Sequence, residues 1–196
     1  MVWHVIRVLV VDDHQAVRAG LVALLRQEPG FVPMATAPTA AAAIDVVTSE
    51  DVDVAIVDYH LPDATGIELC HRLPDDVGAV IYTGVALDGV VIAALVAGAR
   101  GVVSKAAPAE ELFDAVREVA RGRTAHPPVP PHALAAAGRR IGEEDLPIIG
   151  MALDHTTPAE MADALRIATT ELQRRISRVL DALQPRPSRH LARPRA

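Results

Sequence analysis

The stretch Val8-Leu9-Val10-Val11-Asp12-Asp13 contains four consecutive apolar residues followed by two acids. A second apolar run, 54–57, ends in Asp58, and a third, 80–82, ends in Thr83. Continuous apolar runs, in contrast to alternating ones, are typical of parallel strands that helices cover on both faces. These runs therefore predict buried strands of a parallel sheet, each followed by a polar residue.

Strand-like and helix-like segments alternate over residues 1–122. The predicted strands span 5–11, 31–36, 53–58, 79–83 and 100–104, and the predicted helices span 14–28, 39–49, 65–73, 88–98 and 108–122. Alternation at this spacing predicts βαβ units with right-handed crossovers, and hence a doubly wound α/β domain. Ligands of such domains bind beyond the carboxyl ends of the strands.

The character of the sequence changes at residues 123–140, which we interpret as a Pro-rich linker. Residues 126–131 contain four prolines, so they are predicted to form an extended spacer and not a helix. Three more helices are predicted at 145–154, 158–165 and 169–183. The second domain, 141–184, is therefore predicted to be small and all-α, and the Arg/Pro-rich tail at 185–196 is predicted to be disordered.

Local signals refine these C-terminal helices. Residues 157–160, Thr-Pro-Ala-Glu, form a capping box with Pro at the first helical position, which predicts a helix start. Pro147 is expected to shorten the helix predicted at 145–154.

Composition narrows the function classes. Half of the residues are apolar but no run of 18 lacks a charge, so we expect a buried core and no membrane insertion. The single cysteine, Cys70, fits a reducing cytoplasm and is expected to be an inert packing residue. No histidine pair has the spacing of a zinc site. Residues 1–122 carry a net charge of −9 and residues 123–196 a net charge of +3, so the second domain could bind a polyanion.

Lys105 is the sole lysine among nineteen cationic Lys and Arg residues, and it ends a fourth apolar run. An ammonium group suits a tight site for a small anion better than a guanidinium does. Three carboxylates at strand ends, Asp12, Asp13 and Asp58, would repel one another unless a cation balanced them. Oxygen ligands point to Mg²⁺. A carboxylate beside that ion can become an aspartyl phosphate, with Thr83 and Lys105 stabilising the phosphoryl oxygens.

The segments 10–14, 57–62 with Gly66, 82–84 and 104–105 resemble the motifs of bacterial response-regulator receiver domains, in the same order and at the same intervals. Residues 11–21 resemble the NarL/FixJ subfamily most, and the resemblance covers residues 5–122. It implies specific roles for individual residues. Asp58 would be the phosphoacceptor; Asp13 and Asp58 would bind Mg²⁺ directly, Asp12 through water, and His60 through its backbone carbonyl; Thr83 and Lys105 would bind the phosphoryl group. Val102 stands where the family usually carries a switch aromatic.

Residues 141–183 resemble the LuxR-type helix-turn-helix domain of the same regulators. The resemblance makes 169–183 the recognition helix and implies DNA contacts by Gln173, Arg174, Arg175 and Arg178. The family's turn glycine is replaced by His155.

The sequence thus predicts a cytoplasmic two-component response regulator that a sensor histidine kinase phosphorylates and that binds promoter DNA as a homodimer. The surface formed by residues 88–122 is expected to carry dimerisation. We expect no enzymatic turnover beyond self-catalysed phosphorylation and dephosphorylation.

Three alternatives stay open at this level. The helical output could bind RNA or protein, the receiver could respond to a ligand instead of a phosphoryl group, or the chain could be an aspartyl-phosphate phosphatase of the haloacid dehalogenase kind. The last is disfavoured because Asp12 and Asp13 are adjacent, whereas that family uses Asp-x-Asp.

Overall fold

The computed structural model describes residues 5–85 and 87–183, and the N-terminal part is built on a five-stranded parallel sheet. The strands are β1 (Ile6–Val11), β2 (Phe31–Ala37), β3 (Val54–Asp58), β4 (Gly78–Thr83) and β5 (Gly101–Ser104), in the order β2-β1-β3-β4-β5. Each predicted strand is confirmed to within one residue at either end. The order reverses between β1 and β3, which is the switch point of this class of sheet.

Five helices connect and follow these strands: α1 (Gln15–Gln27), α2 (Ala40–Ser49), α3 (Gly66–Cys70), α4 (Leu87–Val96) and α5 (Ala109–Ala120). Helices α1 and α5 pack on one face of the sheet, and α2, α3 and α4 on the other. The predicted doubly wound α/β domain is therefore confirmed.

Helix α3 is shorter than predicted. It ends at Cys70 because Leu73 precedes Pro74, and a residue before proline is disfavoured in the helical region. Cys70 itself is buried, and burial raises the pKa of its thiol to about 12, as expected for a packing residue.

The C-terminal part is helical: α6 (Pro131–Gly138), α7 (Leu146–Leu153), α8 (Pro158–Leu165) and α9 (Thr169–Leu183). The last three were predicted. Helix α6 was not, and the prediction of an extended spacer at 126–131 is wrong at its last residue, Pro131, which is helical. Pro131 begins the helix, where a missing N–H costs nothing because the first helical N–H groups have no partner within the helix. The tail 185–196 lies outside the described residues.

Two sequence signals of the C-terminal helices are confirmed, the capping box and the effect of Pro147. Thr157 Oγ1 accepts a hydrogen bond from the Glu160 N–H at 3.3 Å, and Glu160 Oε2 accepts one from the Thr157 N–H at 2.9 Å, which completes the capping box. Pro147 lies in the first turn of α7, whose start is delayed to Leu146 by a preceding 3-10 turn. The apolar stripe of α9 is fully buried: Leu172, Ile176, Val179, Leu180 and Leu183.

From residue 90 onward, helix α4 is apolar around its whole circumference. Residues 90–97 are all buried, because one side of the helix packs on the sheet domain and the other side packs against α6, α7 and α9. A single apolar cluster thus runs from the sheet through α4 into the C-terminal helices. The α4 part of the 88–122 surface, which is predicted to carry dimerisation, is covered by the chain's own helices in this structure. Despite this apolar helix, no helix of the described residues is long and apolar enough to cross a bilayer.

The free edge of β5 is also covered from within the chain. The N–H of Val102 donates to the carbonyl of Ala125 at 2.9 Å, and the N–H of Ala125 donates to the carbonyl of Arg100 at 2.8 Å. Val102 is buried, with 2% of its surface exposed. The start of the predicted linker thus acts as a short extension of the sheet beside the Val102 position.

Candidate functional site

The polar residues predicted to converge do meet at the carboxyl edge of the sheet. Asp58 is the last residue of β3, Thr83 the last of β4, and Asp12 and Lys105 directly follow β1 and β5. Parallel register brings Val11 beside Val57 and Thr83 beside Ser104, so these four chain ends lie next to one another. Of the side chains that the structure describes, four polar ones are buried, and three of them belong to this pocket: Asp12, Asp58 and Thr83.

The ammonium group of Lys105 joins two carboxylates. Its Nζ lies 2.7 Å from Asp12 Oδ2 and 2.9 Å from Asp58 Oδ1. Burial alone lowers the pKa of Lys105, but the hydrogen bonds that Lys105 donates to Asp12 and Asp58 outweigh burial and raise it. Lys105 is therefore charged, and its position is fixed further by its backbone N–H, which donates to the carbonyl of Thr83 at 2.7 Å.

Thr83 and Gly84 form the wall of the pocket at the end of β4. The Thr83 hydroxyl oxygen accepts a hydrogen bond from the Val85 N–H at 3.1 Å, which holds the hydroxyl in place. A Cβ at Gly84 would meet no atom within 4 Å. The space at residue 84 is therefore open to a small group, whereas Thr83 itself is fully buried.

The loop after Asp58 is held rigidly. A Cβ at Gly66 would come within 2.3 Å of the Asp58 carbonyl oxygen, so glycine is required there. The Gly66 N–H donates to the Tyr59 carbonyl at 2.8 Å. Asp63 accepts hydrogen bonds from the first two N–H groups of α2, both at 2.9 Å, and these bonds lower the pKa of its carboxyl. The backbone of His60 is thus held close to the phosphoacceptor candidate by contacts on both sides.

One residue of the pocket was missed from the sequence. His14 Nδ1 lies 2.5 Å from Asp13 Oδ1 and 3.5 Å from Asp12 Oδ1, and donor atoms of all three side chains lie within 4.8 Å of one another. His14 belongs to no pair of histidines at helical spacing; it is a single imidazole that adjoins two acids in the chain. The adjacency Asp12-Asp13-His14 was the available signal.

These residues fit a divalent cation of the kind the resemblance implies. The donors are carboxylate oxygens from Asp12, Asp13 and Asp58, with a backbone carbonyl available from His60, and hard divalent ions prefer such oxygens. The pocket already attracts positive charge, since the Lys105 ammonium lies between two of its carboxylates.

A second buried charge cluster lies between the 3-10 turn and α9. Asp145, with 2% of its side chain exposed, accepts from Arg175 Nε at 2.6 Å and contacts Arg178 Nε at 2.9 Å. Arg175 also contacts the carbonyl of Glu144 and has 12% of its side chain exposed. The predicted role of Arg175 in DNA contact is therefore not supported by its placement, because its guanidinium is used inside the domain.

The other predicted contact residues lie on the exposed side of α9. Gln173, Arg174 and Arg178 line one wall of a groove, and His71 from the end of α3 lies on the opposite wall. Arg174 is 76% exposed and pairs with Glu171 at 2.7 Å. The turn residue His155 has a φ of 58°, the left-handed value that favours the glycine usual at this position in the family.

Comparison with known proteins agrees with this arrangement. The family model described as "Response regulator receiver domain" matches residues 8–117. The chain is 33% identical, over 91% of its length and 88% of the relative's, to the "DNA-binding transcriptional activator DevR/DosR" of Mycobacterium tuberculosis.

Two solved structures extend the likeness. A two-component response regulator of the LuxR family from Aurantimonas sp. SI85-9A1 is 28% identical with a TM-score of 0.60, over 69% of this chain and 98% of that one. The structure of an RcsB–DNA complex matches the fold over 91% of this chain and 92% of that one, with a TM-score of 0.60 at 18% identity. The chain therefore belongs to the response regulators, with a receiver domain followed by the helical C-terminal domain of the LuxR type.

Proposed function

We propose that this chain is a transcriptional response regulator that accepts a phosphoryl group on Asp58 in a Mg²⁺-dependent reaction and controls promoters through α8 and α9. The observation that carries the first half is the Lys105 ammonium, held within 3 Å of the buried carboxylates of Asp12 and Asp58. The observation that supports the second half is the likeness to a DNA-binding activator along nearly the whole chain.

The proposed phosphorylation step uses the side chains that meet in the pocket. A carboxylate oxygen of Asp58 forms a bond to the phosphorus of a phosphohistidine on a sensor kinase, and the phosphorus–nitrogen bond breaks, so that the imidazole leaves. A divalent ion held by Asp13, Asp58 and the His60 carbonyl, and by Asp12 through water, would neutralise charge on the phosphoryl oxygens.

Two side chains then stabilise the product. The Lys105 ammonium can turn from the Asp58 carboxylate to a phosphoryl oxygen while Asp12 keeps it in place. The Thr83 hydroxyl, which accepts one backbone hydrogen bond, still has its own proton to donate to a second phosphoryl oxygen. Since the chain itself is the acceptor, its chemistry is limited to self-catalysed phosphorylation and hydrolysis.

The assignment of Asp58 is tested with the full-length protein, acetyl phosphate and Mg²⁺, by intact mass and phosphate-affinity electrophoresis. Asp58→Asn is expected to abolish the alkali-labile phosphate. Asp45→Asn is the matched control, because Asp45 is an exposed acid on α2 and should leave labelling intact. Labelling that persists on Asp58→Asn would overturn the assignment.

The output is expected to bind promoter DNA through the exposed side of α9. Gln173 and Arg174 are the candidates for base or phosphate contact, and Arg178 can add a phosphate contact beside its pairing with Asp145. Electrophoretic comparison of duplex DNA with structured RNA, with and without Arg174→Ala, tests this output. Retention of RNA and not DNA would favour the RNA-binding alternative.

We further propose the domain limits 1–122 and 141–184, joined by a linker at 123–140 that includes α6, and a cytoplasmic protein that dimerises on phosphorylation. Since α4 is covered within the chain, the dimer would use another surface. Sedimentation with and without beryllofluoride tests dimerisation, and a sedimentation coefficient unchanged by the phosphoryl analogue would argue against it.

A further inference from the structure

We infer that the imidazole of His14 is a ligand of the divalent cation held beside Asp13, and that it shifts the preference of this site from Mg²⁺ toward first-row transition-metal ions. This inference rests on the proposed function, since it concerns the cation of the same pocket. It adds a nitrogen donor to a ligand set that was otherwise made of oxygen alone.

The geometry brings the three donors together at the rim of the pocket. His14 Nδ1 is 2.5 Å from Asp13 Oδ1 and 3.5 Å from Asp12 Oδ1. Two ligands of one ion lie at most about 4.4 Å apart, twice a metal–ligand distance of ~2.2 Å. The donor atoms of Asp12, Asp13 and His14 all lie within 4.8 Å of one another, so a small side-chain rotation brings them onto one ion.

The side chain of His14 contacts Asp13, but it neither caps the helix nor packs into the core. His14 is the N-cap of α1, yet its side chain makes no capping hydrogen bond, and the backbone N–H of His14 already binds Asp12 Oδ1 at 2.8 Å. The side chain is 70% exposed, so packing does not fix the ring either. The loop is braced instead by Arg18, whose guanidinium donates to the carbonyls of Asp12 and Asp13 at 2.6 and 3.0 Å.

The chemistry of the donor atoms determines which ions bind more tightly when an imidazole is added. Mg²⁺ prefers carboxylate, carbonyl and water oxygens, whereas Fe²⁺, Co²⁺, Ni²⁺ and Zn²⁺ bind imidazole nitrogen well. A site that combines carboxylates with one imidazole therefore favours these ions relative to Mg²⁺. The relevant quantity is the ratio of the affinities for a transition-metal ion and for Mg²⁺. A loss of local structure would weaken the binding of both ions alike and leave this ratio unchanged.

The test is calorimetric titration of the full-length protein with Mg²⁺ and with Co²⁺, for the wild type and for His14→Phe. Phenylalanine keeps a planar ring but offers no donor. We expect the ratio of the Mg²⁺ Kd to the Co²⁺ Kd to fall about tenfold in the variant. The visible absorption of bound Co²⁺ should also change when a nitrogen ligand is lost. His132→Phe, which removes an exposed imidazole on α6, should keep the wild-type ratio.

The outcomes separate the two levels of inference. An unchanged ratio and an unchanged Co²⁺ spectrum in His14→Phe would overturn the role of His14 while Mg²⁺ binding still supports the pocket. If His14→Phe weakened the binding of Mg²⁺ and Co²⁺ equally, the inference would likewise fail, because His14 would then have a structural role. Failure of the wild type to bind either ion, with Asp13→Asn indistinguishable from it, would instead refute the proposed Mg²⁺-dependent function.

Discussion

The two buried acid clusters of this chain differ in how much positive charge surrounds them. Asp12 and Asp58 share one ammonium, and the nearby Asp13 adds a third carboxylate. Asp145, in contrast, is contacted by the guanidinium groups of both Arg175 and Arg178. The first cluster is short of positive charge, whereas in the second cluster two arginines balance Asp145 and the neighbouring Glu144. A cluster short of positive charge can accept a cation and a phosphoryl group, whereas a saturated carboxylate holds helices together.

The choice of cationic side chain follows the same division. The planar guanidinium of Arg175 is suited to fixed pairing with a carboxylate, and here it joins the 3-10 turn to α9. The Lys105 ammonium is a compact charge on a flexible stem and can move from one acceptor to another. The sole lysine of the chain therefore stands where a cation has to change partners.

The largest effect should come from removing the carboxylate of Asp145. Asp145→Ala leaves Arg175, with 12% of its side chain exposed, without its counterion. The free energy of unfolding should fall by about 3–5 kcal/mol, measured by urea denaturation. Asp163→Ala, which removes an exposed acid on α8, should change it by less than about 0.5 kcal/mol. If Asp145→Ala is as stable as this control, the cluster has no structural role.

The next largest effect should come from removing the Lys105 ammonium group from the pocket. In Lys105→Met, Asp12 and Asp58 repel each other, so Mg²⁺ should bind more tightly than in the wild type. At 100 times the variant's Kd, Mg²⁺ should stabilise it by about 2.7 kcal/mol, seen as a rise in Tm that a chelator reverses. The wild type should gain less at the same concentration. An equal gain in both proteins would mean that Lys105 does not compete with the ion.

A smaller effect of opposite sign is expected from removing one carboxylate of the pocket. Asp58→Asn leaves a balanced pair, Asp12 with Lys105, and so should raise the free energy of unfolding in chelator by up to about 1 kcal/mol. Asp145→Ala and Asp58→Asn are thus expected to change the free energy of unfolding in opposite directions. If Asp58→Asn lowered it by several kcal/mol, the two clusters would not differ in the way described above.

The smallest stability effect should come from the exposed face of α9. Arg174→Ala should change the free energy of unfolding by no more than about 0.5 kcal/mol, since its pair with Glu171 is at the surface. It should nevertheless lower the salt dependence of DNA binding by about 0.9 in the logarithmic slope if Arg174 contacts a phosphate. Arg175→Ala should instead destabilise the fold. If both variants changed the free energy of unfolding equally, Arg175 would not be the structural arginine of the two.

Much of the fold could be predicted because its signals are local. Apolar runs located four of the five strands to within a residue, and capping chemistry located the start of α8. The pocket followed because parallel strands end at one edge, so that Asp12, Asp58, Thr83 and Lys105 had to meet. Helix α6 was missed because a proline inside a helix and a proline at its first position look alike in composition.

Residues whose roles depend on a distant partner could not be predicted. Helical periodicity places Arg175, but not Arg174, on the side of the buried Leu172 and Val179. Its partner Asp145, thirty residues earlier, could not be identified from that pattern. His14 was overlooked because its significance lies in the direction of its ring toward Asp13. The covering of α4 was missed because an apolar helix in an α/β domain is expected to face its own sheet.

The sequence by itself determined the parallel sheet, the acids and the lysine at its edge, and the amphipathic helices that follow, since each depends on residues close together in the chain. Tertiary structure alone decided that α4 is enclosed by the C-terminal helices and that one arginine of α9 is committed to a buried acid. Both outcomes depend on contacts between apolar or charged surfaces of segments that are far apart in the sequence. Such contacts exist only in the folded chain.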